Sequence, residues 1–297
     1  MKTKVLVIGS VKFSKYLFKI INNITCLKVT AVITKRSSVI NSDFYSLEAD
    51  AKKRNIPVFI SNGADDISVI KYIKKQKIKL GICIGWSHLL SESFINSFAK
   101  GIIGYHPTEL PNNKGRHPLI WSLILGLPTI GSTFFLMNKY ADQGSIIDQK
   151  IIKISKKENA TNLYMKLIKV ASKQLYNLVP CYINGNIKLK KQNILKGNSW
   201  RRRSQTDGNI DWRMSFDAID NLVRALNKPY PGATCLFKDK TYIVSKVKKS
   251  RINKINYEPG KVIKVNKRNI IVKCWQGSII LAEHNFDTLP IEGEYLF

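Results

Sequence analysis

The sequence predicts an α/β domain built on a parallel sheet, followed by a smaller domain of short β-strands. In the first half, short apolar runs alternate with segments of helical spacing, which is the pattern of βαβ units. In the last third, short β-rich runs follow one another with turn residues between them, which is typical of a small barrel. A chain of 297 residues is long enough for both domains.

Six apolar runs are the predicted strands of the first domain. They lie at residues 4–8, 27–33, 58–60, 80–84, 129–137 and 145–154. Helices are predicted at residues 45–55, 66–74 and 118–125, and a longer helix at 162–182, where apolar residues recur on one face. We therefore expect the first domain to end near residue 187.

The second domain is predicted to begin with a short helix. Ser215 is its expected N-cap, apolar residues of helical spacing follow, and residues 229–232 (PYPG) end the segment. Strands are predicted at residues 242–247, 261–265, 270–274 and 279–282. The expected organisation is a first domain at 1–187, a basic linker at 188–213 and a barrel-like domain at 214–297.

The net charge of +29 favours an anionic partner, because lysine and arginine neutralise phosphates. The lysines are nonetheless spread through the whole chain, as a compositional bias would produce. One local excess lies at residues 188–213, which hold eight Lys and Arg against Asp207 and Asp211. This segment is either a binding segment for an anion or a solvated linker.

Cysteines and hydropathy exclude several classes of protein. The five cysteines are odd in number, far apart and without CxxC spacing, so we expect buried thiols, no disulfide framework and no metal site. No stretch approaches the roughly 20 apolar residues of a membrane span, and the amino terminus lacks a secretory cleavage site. These features predict a cytoplasmic protein without a membrane partner.

The first strand is followed by residues 9–14 (GSVKFS), where a dinucleotide-binding turn would need glycines in place of Val11 and Ser14. NAD or FAD binding is therefore not predicted. In an open parallel sheet the site lies beyond the carboxyl ends of the central strands. Two loops fit this position, at residues 85–88 (GWSH) and 104–107 (GYHP).

His106 lies in the second of these loops and is a candidate general acid. Asp142 follows it by 36 positions, a separation that a helix, a strand and a loop can close into contact. A carboxylate beside an imidazole fixes its tautomer and favours its protonated form, which suits a proton-carrying catalyst. The sequence therefore predicts a His106–Asp142 pair.

Motifs of fixed spacing surround this pair and continue into the second domain. They are His106-Pro107-Thr108-x-Leu110-Pro111, Lys114-Gly115-Arg116-x-Pro118, Gly131-Ser132-Thr133, Asp142-x-Gly144-x-Ile146 with Gln149, Asp207-Gly208-x-Ile210-Asp211-Trp212, Arg224-Ala225-Leu226 and Pro229-Tyr230-Pro231-Gly232-Ala233. In order and spacing they resemble the 10-formyltetrahydrofolate-dependent formyltransferase family, most of all its sugar N-formyltransferases, which are related to methionyl-tRNA formyltransferase. The resemblance covers nearly the whole chain and is weakest in its last 50 residues.

The resemblance implies a Rossmann-like parallel-sheet formyltransferase domain followed by a small OB-like β-barrel domain. It also implies formyl transfer from 10-formyltetrahydrofolate to a primary amine without a metal. In this reaction His106 would donate to the developing oxyanion, while Asp142 would orient it and assist removal of the amine proton. The family has an asparagine two residues before the histidine, whereas this chain has Gly104. Either His88 or a backbone amide replaces that donor, or the enzyme is slower, or it no longer transfers formyl.

The resemblance also assigns binding residues. The folate is expected to contact Trp86, Ser87, His88, Leu89, Leu90, Tyr140, Ala141 and Asp142. The amine substrate is expected to contact Tyr105, Pro107, Thr108, Lys114 and Arg116.

Three alternatives remain for the function and its substrate or partner. Residues 34–55 carry no long basic insertion of the kind with which the tRNA enzymes engage the acceptor stem, which favours a nucleotide-linked amino sugar. The charge of +29 is the main argument for methionyl-tRNA. A non-catalytic nucleic-acid-binding protein that uses the barrel is the third, although its strands show no run of stacking aromatics. A homodimer is compatible with all three.

Overall fold

A computed structural model describes residues 2–39, 41–61 and 66–297 of the chain. These residues form two compact units. The first contains the chain up to Pro118 together with Ile130–Ile152 and Met165–Trp200, and the second contains Leu119–Thr129, Lys153–Tyr164 and Arg201–Phe297. Because the chain crosses between the units several times, the domain limits proposed at residues 187 and 214 stay a prediction.

The first unit is built on a seven-stranded sheet. Its strands are β1 (Thr3–Ile8), β2 (Leu27–Thr34), β3 (Val58–Ile60), β4 (Leu80–Cys83), β5 (Ile102–His106), β7 (Thr129–Leu136) and β8 (Ile146–Lys153). Their order is β3-β2-β1-β4-β5-β7-β8. The first five are parallel and β7 runs antiparallel to β5. The predicted Rossmann-like parallel sheet is confirmed. Two short strands, β6 (Lys114–Gly115) and β9 (Ser199–Trp200), pair in parallel and form a separate two-stranded sheet.

Helices connect the strands in the way that parallel pairing requires. Between the parallel strands lie α1 (Lys12–Asn23), α2 (Glu48–Lys52), α3 (Ile67–Gln76) and α4 (Glu92–Ile95), whereas α5 (Pro118–Ile124) precedes the antiparallel β7 and α6 (Ala160–Ile183) follows β8. The helix predicted at 45–55 is reduced to α2, because the chain turns after it at Asn55, where φ is 53°. Helix α1 was not predicted, although Phe13, Leu17 and Ile21 recur at its buried face.

The carboxyl ends of the parallel strands meet at one edge of the sheet. Strand β1 is an interior strand and is almost fully buried from Val5 to Ile8. The chain leaves β1 toward β2 on one side and later returns to β4 on the other, so the loops after β1 and β4 flank the point where the strand order reverses, and the loop after β5 lies on the next strand. This is where a ligand binds in an open α/β sheet.

The second unit contains helix α7 (Phe216–Ala225), whose N-cap Ser215 accepts a hydrogen bond from the Ala218 amide, as predicted. Five antiparallel strands follow, in the order β10-β11-β14-β13-β12. The chain end joins the two outer strands, since Phe297 pairs with Leu236 and Leu296 donates to Gly260 O. The predicted small barrel is therefore confirmed. The strands are β10 (Ala233–Phe237), β11 (Lys240–Lys249), β12 (Val262–Asn266), β13 (Asn269–Cys274) and β14 (Gly277–His284).

The cysteine expectation was only partly right. All five cysteines are free, and Cys83, Cys235 and Cys274 are buried. Cys181 is exposed and Cys26 half-buried, because the former lies on the solvent side near the end of α6 and the latter in the turn before β2.

Residues 2–39, 41–61 and 66–297 contain neither a helix that could span a membrane nor a cluster of metal ligands. None of the helices there is both long and apolar enough to cross a membrane. No group of three or more His, Cys, Asp or Glu is arranged to hold a metal ion.

Candidate active site

A cavity of about 360 Å³ lies at the carboxyl edge of the sheet in the first unit. The loops after β4 and β5 form one side, and the turn between β7 and β8 forms the other. It brings together most of the residues predicted for the site. Those lining it are Gly104, Tyr105 and His106, Trp86 to Leu90, Tyr140, Ala141, Asp142 and Arg116. The size is within the range of small-molecule sites.

His106 is the last residue of β5 and is only 6% exposed. Its Nε2 lies 3.0 Å from the carbonyl oxygen of Asn113. Since a carbonyl only accepts, Nε2 must carry a hydrogen and donate it. Its Nδ1 lies 3.6 Å from Asp142 Oδ1, an ion-pair separation that is too long for a hydrogen bond. The ring is therefore fixed by Asn113 and faces Asp142 with the other nitrogen.

Hydrogen bonds hold the Asp142 carboxylate and the backbone of its turn. Its Oδ2 accepts a hydrogen bond of 3.0 Å from the Gly115 amide. Its own φ is 57°, a left-handed conformation that aspartate tolerates better than most residues. The side-chain amide of Gln192 donates to the carbonyls of Asp142 at 2.9 Å and Gly144 at 2.7 Å. The turn is thus fixed before any ligand binds.

Gly115 is required by its surroundings. Its φ is 99°, and a Cβ at this position would lie 2.3 Å from the carbonyl oxygen of Trp200. Strand β9 can pair with β6 only because this side chain is absent. The close approach aims the Gly115 amide at Asp142. The glycine of the Lys-Gly-Arg motif therefore acts through its backbone.

Gly104 faces apolar side chains. A Cβ there would lie 2.8 Å from Met137 Cγ and 3.0 Å from Phe135 Cζ. Phe135 pairs with Gly104 across the sheet and is buried. The space that a side chain at position 104 would need is therefore filled by atoms that donate no hydrogen bond.

The loop after β4 carries the residues predicted for the folate. Trp86 packs against the apolar core, and its buried Nε1 has no hydrogen-bond partner within the described part of the chain. Ser87 bonds Asn41, and its carbonyl accepts a hydrogen bond of 2.6 Å from Arg116. Leu90 is buried, whereas Leu89 is 64% exposed. His88 contacts the buried amine of Lys35.

The residues predicted for the amine substrate divide into two groups. Arg116 and Tyr105 line the cavity. The Tyr105 ring is stacked on Phe13, its hydroxyl bonds Ser132, and burial raises the pKa of the phenol. Pro107, Thr108 and Lys114 do not line the cavity, and the Thr108 hydroxyl donates to Asn112 O within its own turn. Substrate contact by these three stays a prediction.

The basic segment is partly neutralised by its own acids. Arg201 forms a two-pronged ion pair with Asp207, and this guanidinium holds the pKa of the carboxyl below its usual range. Arg213 pairs with Asp211 at 2.7 Å. The positive charges of Arg201 and Arg213 are therefore balanced by neighbouring carboxylates and need no anionic ligand.

Three residues near the site were missed by the sequence analysis. Asn113 supplies a carbonyl oxygen, Gln192 lies 50 positions after Asp142, and Lys35 follows β2. Backbone contacts have no side-chain signature. Lys35 is one of 49 basic residues, so nothing in the sequence distinguished it.

Comparison with known proteins identifies the family. Residues 1–179 match the family described as Formyl transferase, and residues 202–292 match Formyl transferase, C-terminal domain. The chain belongs to the formyl transferase family. The resemblance noted in the sequence is confirmed.

Among curated formyl transferase relatives, the bifunctional polymyxin resistance protein ArnA of Wigglesworthia glossinidia brevipalpis is 32% identical over 237 residues. The match covers 80% of this chain and 36% of that protein, so the chain spans about a third of the relative's length.

Solved structures show the same fold. The N-formyltransferase from Helicobacter canadensis, in complex with folinic acid and dTDP-3-aminofucose, has a TM-score of 0.69 at 18% identity, covering 94% of this chain and 98% of that one. WlaRD, a sugar 3N-formyltransferase solved with dTDP and 5-N-formyl-THF, has a TM-score of 0.67 at 18% identity, covering 94% and 97%. A 4-N formyltransferase from Francisella tularensis has a TM-score of 0.61 at 21% identity, covering 82% and 92%.

Proposed function

We propose that the chain transfers a formyl group from 10-formyltetrahydrofolate to the primary amine of a nucleotide-linked amino sugar. The observation that carries this proposal is the His106–Asp142 pair at the edge of a cavity, on a formyl transferase fold. The barrel is proposed to be an OB-like fold, and the product to serve polysaccharide biosynthesis. A cytoplasmic location stays a prediction from the sequence.

The cavity suits a folate on two grounds. Its wall includes the Trp86 indole, whose buried N–H lacks a partner among the described residues, and the turn at 140–142. A pterin offers both a flat ring and hydrogen-bonding edges to such a wall. Trp86 to Leu90 would hold one side of it, and Tyr140 to Asp142 the other. The folate supplies the formyl group, which leaves its nitrogen as the amine forms the new C–N bond.

His106 and Asp142 are proposed to stabilise the developing charge and to transfer the proton. As the amine attacks, negative charge develops on the formyl oxygen, and a protonated His106 donates to it through Nδ1 because Nε2 is engaged by Asn113. The amine must lose one proton, and Asp142 Oδ1 is the carboxylate oxygen left free by the Gly115 amide. The departing folate nitrogen gains one proton, so the step is balanced. Burial of His106 and partial burial of Asp142 strengthen these interactions.

The sugar nucleotide is favoured over tRNA by the short segment 34–55, and two of the similar structures contain dTDP or a dTDP-linked amino sugar. Arg116 lines the cavity and offers a guanidinium for a diphosphate. Methionyl-tRNA remains the second candidate because of the net charge of +29.

The test compares both amines directly. Purified protein with 10-formyltetrahydrofolate is given dTDP-, UDP- and GDP-linked amino sugars, and methionyl-tRNA in parallel, with formylated product measured by mass spectrometry. We expect product from a sugar nucleotide and none from tRNA. Efficient formylation of tRNA alone would reverse the assignment. Binding of RNA that weakens with salt and ignores sequence would show only diffuse charge.

A further inference from the structure

Lys35 is a buried amine that has no carboxylate partner among the ion pairs of the described residues. It follows β2 directly and is 5% exposed. Its Nζ lies 2.6 Å from Nε2 of His88 and 5.0 Å from the centre of the Trp86 ring. An uncompensated buried cation costs stability, so its presence against a cavity residue calls for a functional reason.

The contact determines which nitrogen of His88 carries the hydrogen. An ammonium group only donates, so Nε2 must accept and the ring hydrogen must be on Nδ1. The pKa of His88 is lowered by burial and by the positive charges of Lys35 and Arg116, which keeps the ring neutral near pH 7. In the part of the chain that the structure describes, Nδ1 has no hydrogen-bond partner. His88 lines the cavity, and its neutral ring carries the hydrogen on Nδ1.

In the proposed formyl transfer such a donor would have a role. Position 104 carries no side chain, and Phe135 and Met137 fill the space beside it. The developing oxyanion would otherwise rely on His106 and backbone groups. A neutral imidazole can act as an electrophile when its pKa is lowered, and the Lys35 charge on its far nitrogen polarises the N–H further.

We propose that His88 donates its Nδ1–H to the formyl oxygen in the transition state, and that Lys35 is the positioning residue that fixes this tautomer. The inference rests on the proposed formyl transfer. The charged groups around His88 are Lys35 and Arg116, with His106 and Asp142 in the wall of the same cavity.

The tautomer is read without any activity, from nitrogen chemical shifts of labelled histidines. The chain has four histidines, and the His88→Gln variant assigns the signal. We expect the native signal to show protonated Nδ1 and bare Nε2. In Lys35→Met the ring should shift toward the Nε2–H form, and its pKa should rise. A native ring protonated on Nε2 would overturn the proposal.

Kinetics then test the consequence. His88→Ala should lower kcat by about 10²-fold and Lys35→Met by about tenfold, with little change in KM for the folate. Lys35→Met should have no further effect in the His88→Ala background, because Lys35 acts only through His88. Lys4→Met is the matched control: Lys4 is a partly buried lysine at the opposite edge of the same sheet, where its Nζ donates to Gln76 O at 2.8 Å. It should leave kcat unchanged.

The outcomes separate this inference from the proposed function. An active native enzyme whose kcat survives His88→Ala would overturn the donor role and leave formyl transfer standing. Additive losses from Lys35→Met and His88→Ala would overturn the positioning role. If the native protein formylates no amine, formyl transfer itself is wrong and the donor role fails with it, whatever tautomer the spectra show.

Discussion

Asp142 Oδ1 faces Nδ1 of His106 at 3.6 Å, while the other nitrogen of the same ring donates to Asn113 O. The ring is therefore held in place by the backbone carbonyl of Asn113. The Asp142 carboxylate lies beside the other ring nitrogen, Nδ1. A protonated ring can donate on both sides. This arrangement assigns orientation mainly to Asn113 and leaves Asp142 to act on protons.

Loss of either His106 or Asp142 should lower the rate of the chemical step. We expect His106→Ala and Asp142→Asn each to lower kcat by about 10² to 10⁴, with little change in folate binding. Asparagine tolerates the left-handed backbone at 142 and can still accept from the Gly115 amide, so the fold should be kept. Steady-state kinetics and calorimetric folate binding measure the two effects.

The double variant decides whether the residues act together. A coupled pair should lose little more in the double variant than in the worse single one. If the losses multiply, the two residues work independently and the pair assignment fails.

Position 104 tests whether the site lacks a donor or has a replacement. We expect Gly104→Asn to lower both Tm and kcat, because its Cβ would lie 2.8 Å from Met137 Cγ and overpacking costs about 1–3 kcal/mol. Thermal unfolding and kinetics on the same preparation give both values. A tenfold rise in kcat would show a vacant site that asparagine repairs.

Met137 provides the matched control for that clash. Met137→Ala removes the nearest atoms, so Gly104→Asn with Met137→Ala should recover part of the Tm lost by Gly104→Asn alone. No recovery would place the cause of the loss elsewhere, with the Phe135 ring the next contact at 3.0 Å.

Gly115 is predicted to support both stability and activity through its backbone amide. Gly115→Ala should destabilise the fold by about 1–3 kcal/mol and also lower kcat, since its Cβ would meet Trp200 O and shift the amide away from Asp142. Gly185→Ala is the control, because its φ is 77° but nothing lies within 4 Å of its Cβ. It should show the backbone cost alone, with normal kcat. Equal effects on kcat would remove the special role of Gly115.

Lys35→Met should separate stability from activity. The pKa of Lys35 is lowered, mainly by burial and then by Arg116, so the folded state binds its proton less readily than the unfolded state. Replacing the buried cation should therefore raise Tm at pH 7 while kcat falls. The pKa of His88 is also lowered, so native stability should fall as pH drops below about 6.5, where the unfolded chain binds the proton first. This acid-side loss should shrink in Lys35→Met. A lower Tm at pH 7 would contradict the account.

The sheet could be predicted because buried parallel strands have a strong local signature. The run at 80–84 is apolar throughout, and β4 (Leu80–Cys83) is buried at every position. The helix predicted at 45–55 was too long, since the helical spacing of the sequence extends beyond both ends of α2 (Glu48–Lys52) and reaches the turn at Asn55. Strand β10 was missed because it follows a proline-rich stop and its sequence hides the alternation, since Leu236 is apolar at an exposed position.

The site was predictable where side chains carry the chemistry. His106 and Asp142 were found from residue type and spacing, and the structure brings them to one cavity. The carbonyl of Asn113 and the close approach of Trp200 to Gly115 depend on backbone geometry that no residue type encodes. Lys35 depends on the meeting of β2 with the loop after β4, which only the fold supplies.

The central claim is that this cavity moves a formyl group onto the amine of a sugar nucleotide, and one measurement tests it most directly. Native protein and His106→Ala are incubated with 10-formyltetrahydrofolate and a panel of nucleotide-linked amino sugars, and each sugar is analysed by mass spectrometry for the gain of one formyl group. The account predicts an N-formylated sugar and tetrahydrofolate in equal amounts with the native protein, and a loss of about 10² or more in rate with His106→Ala. A native protein that formylates no sugar on the panel, or one whose rate is unchanged by His106→Ala, would contradict it.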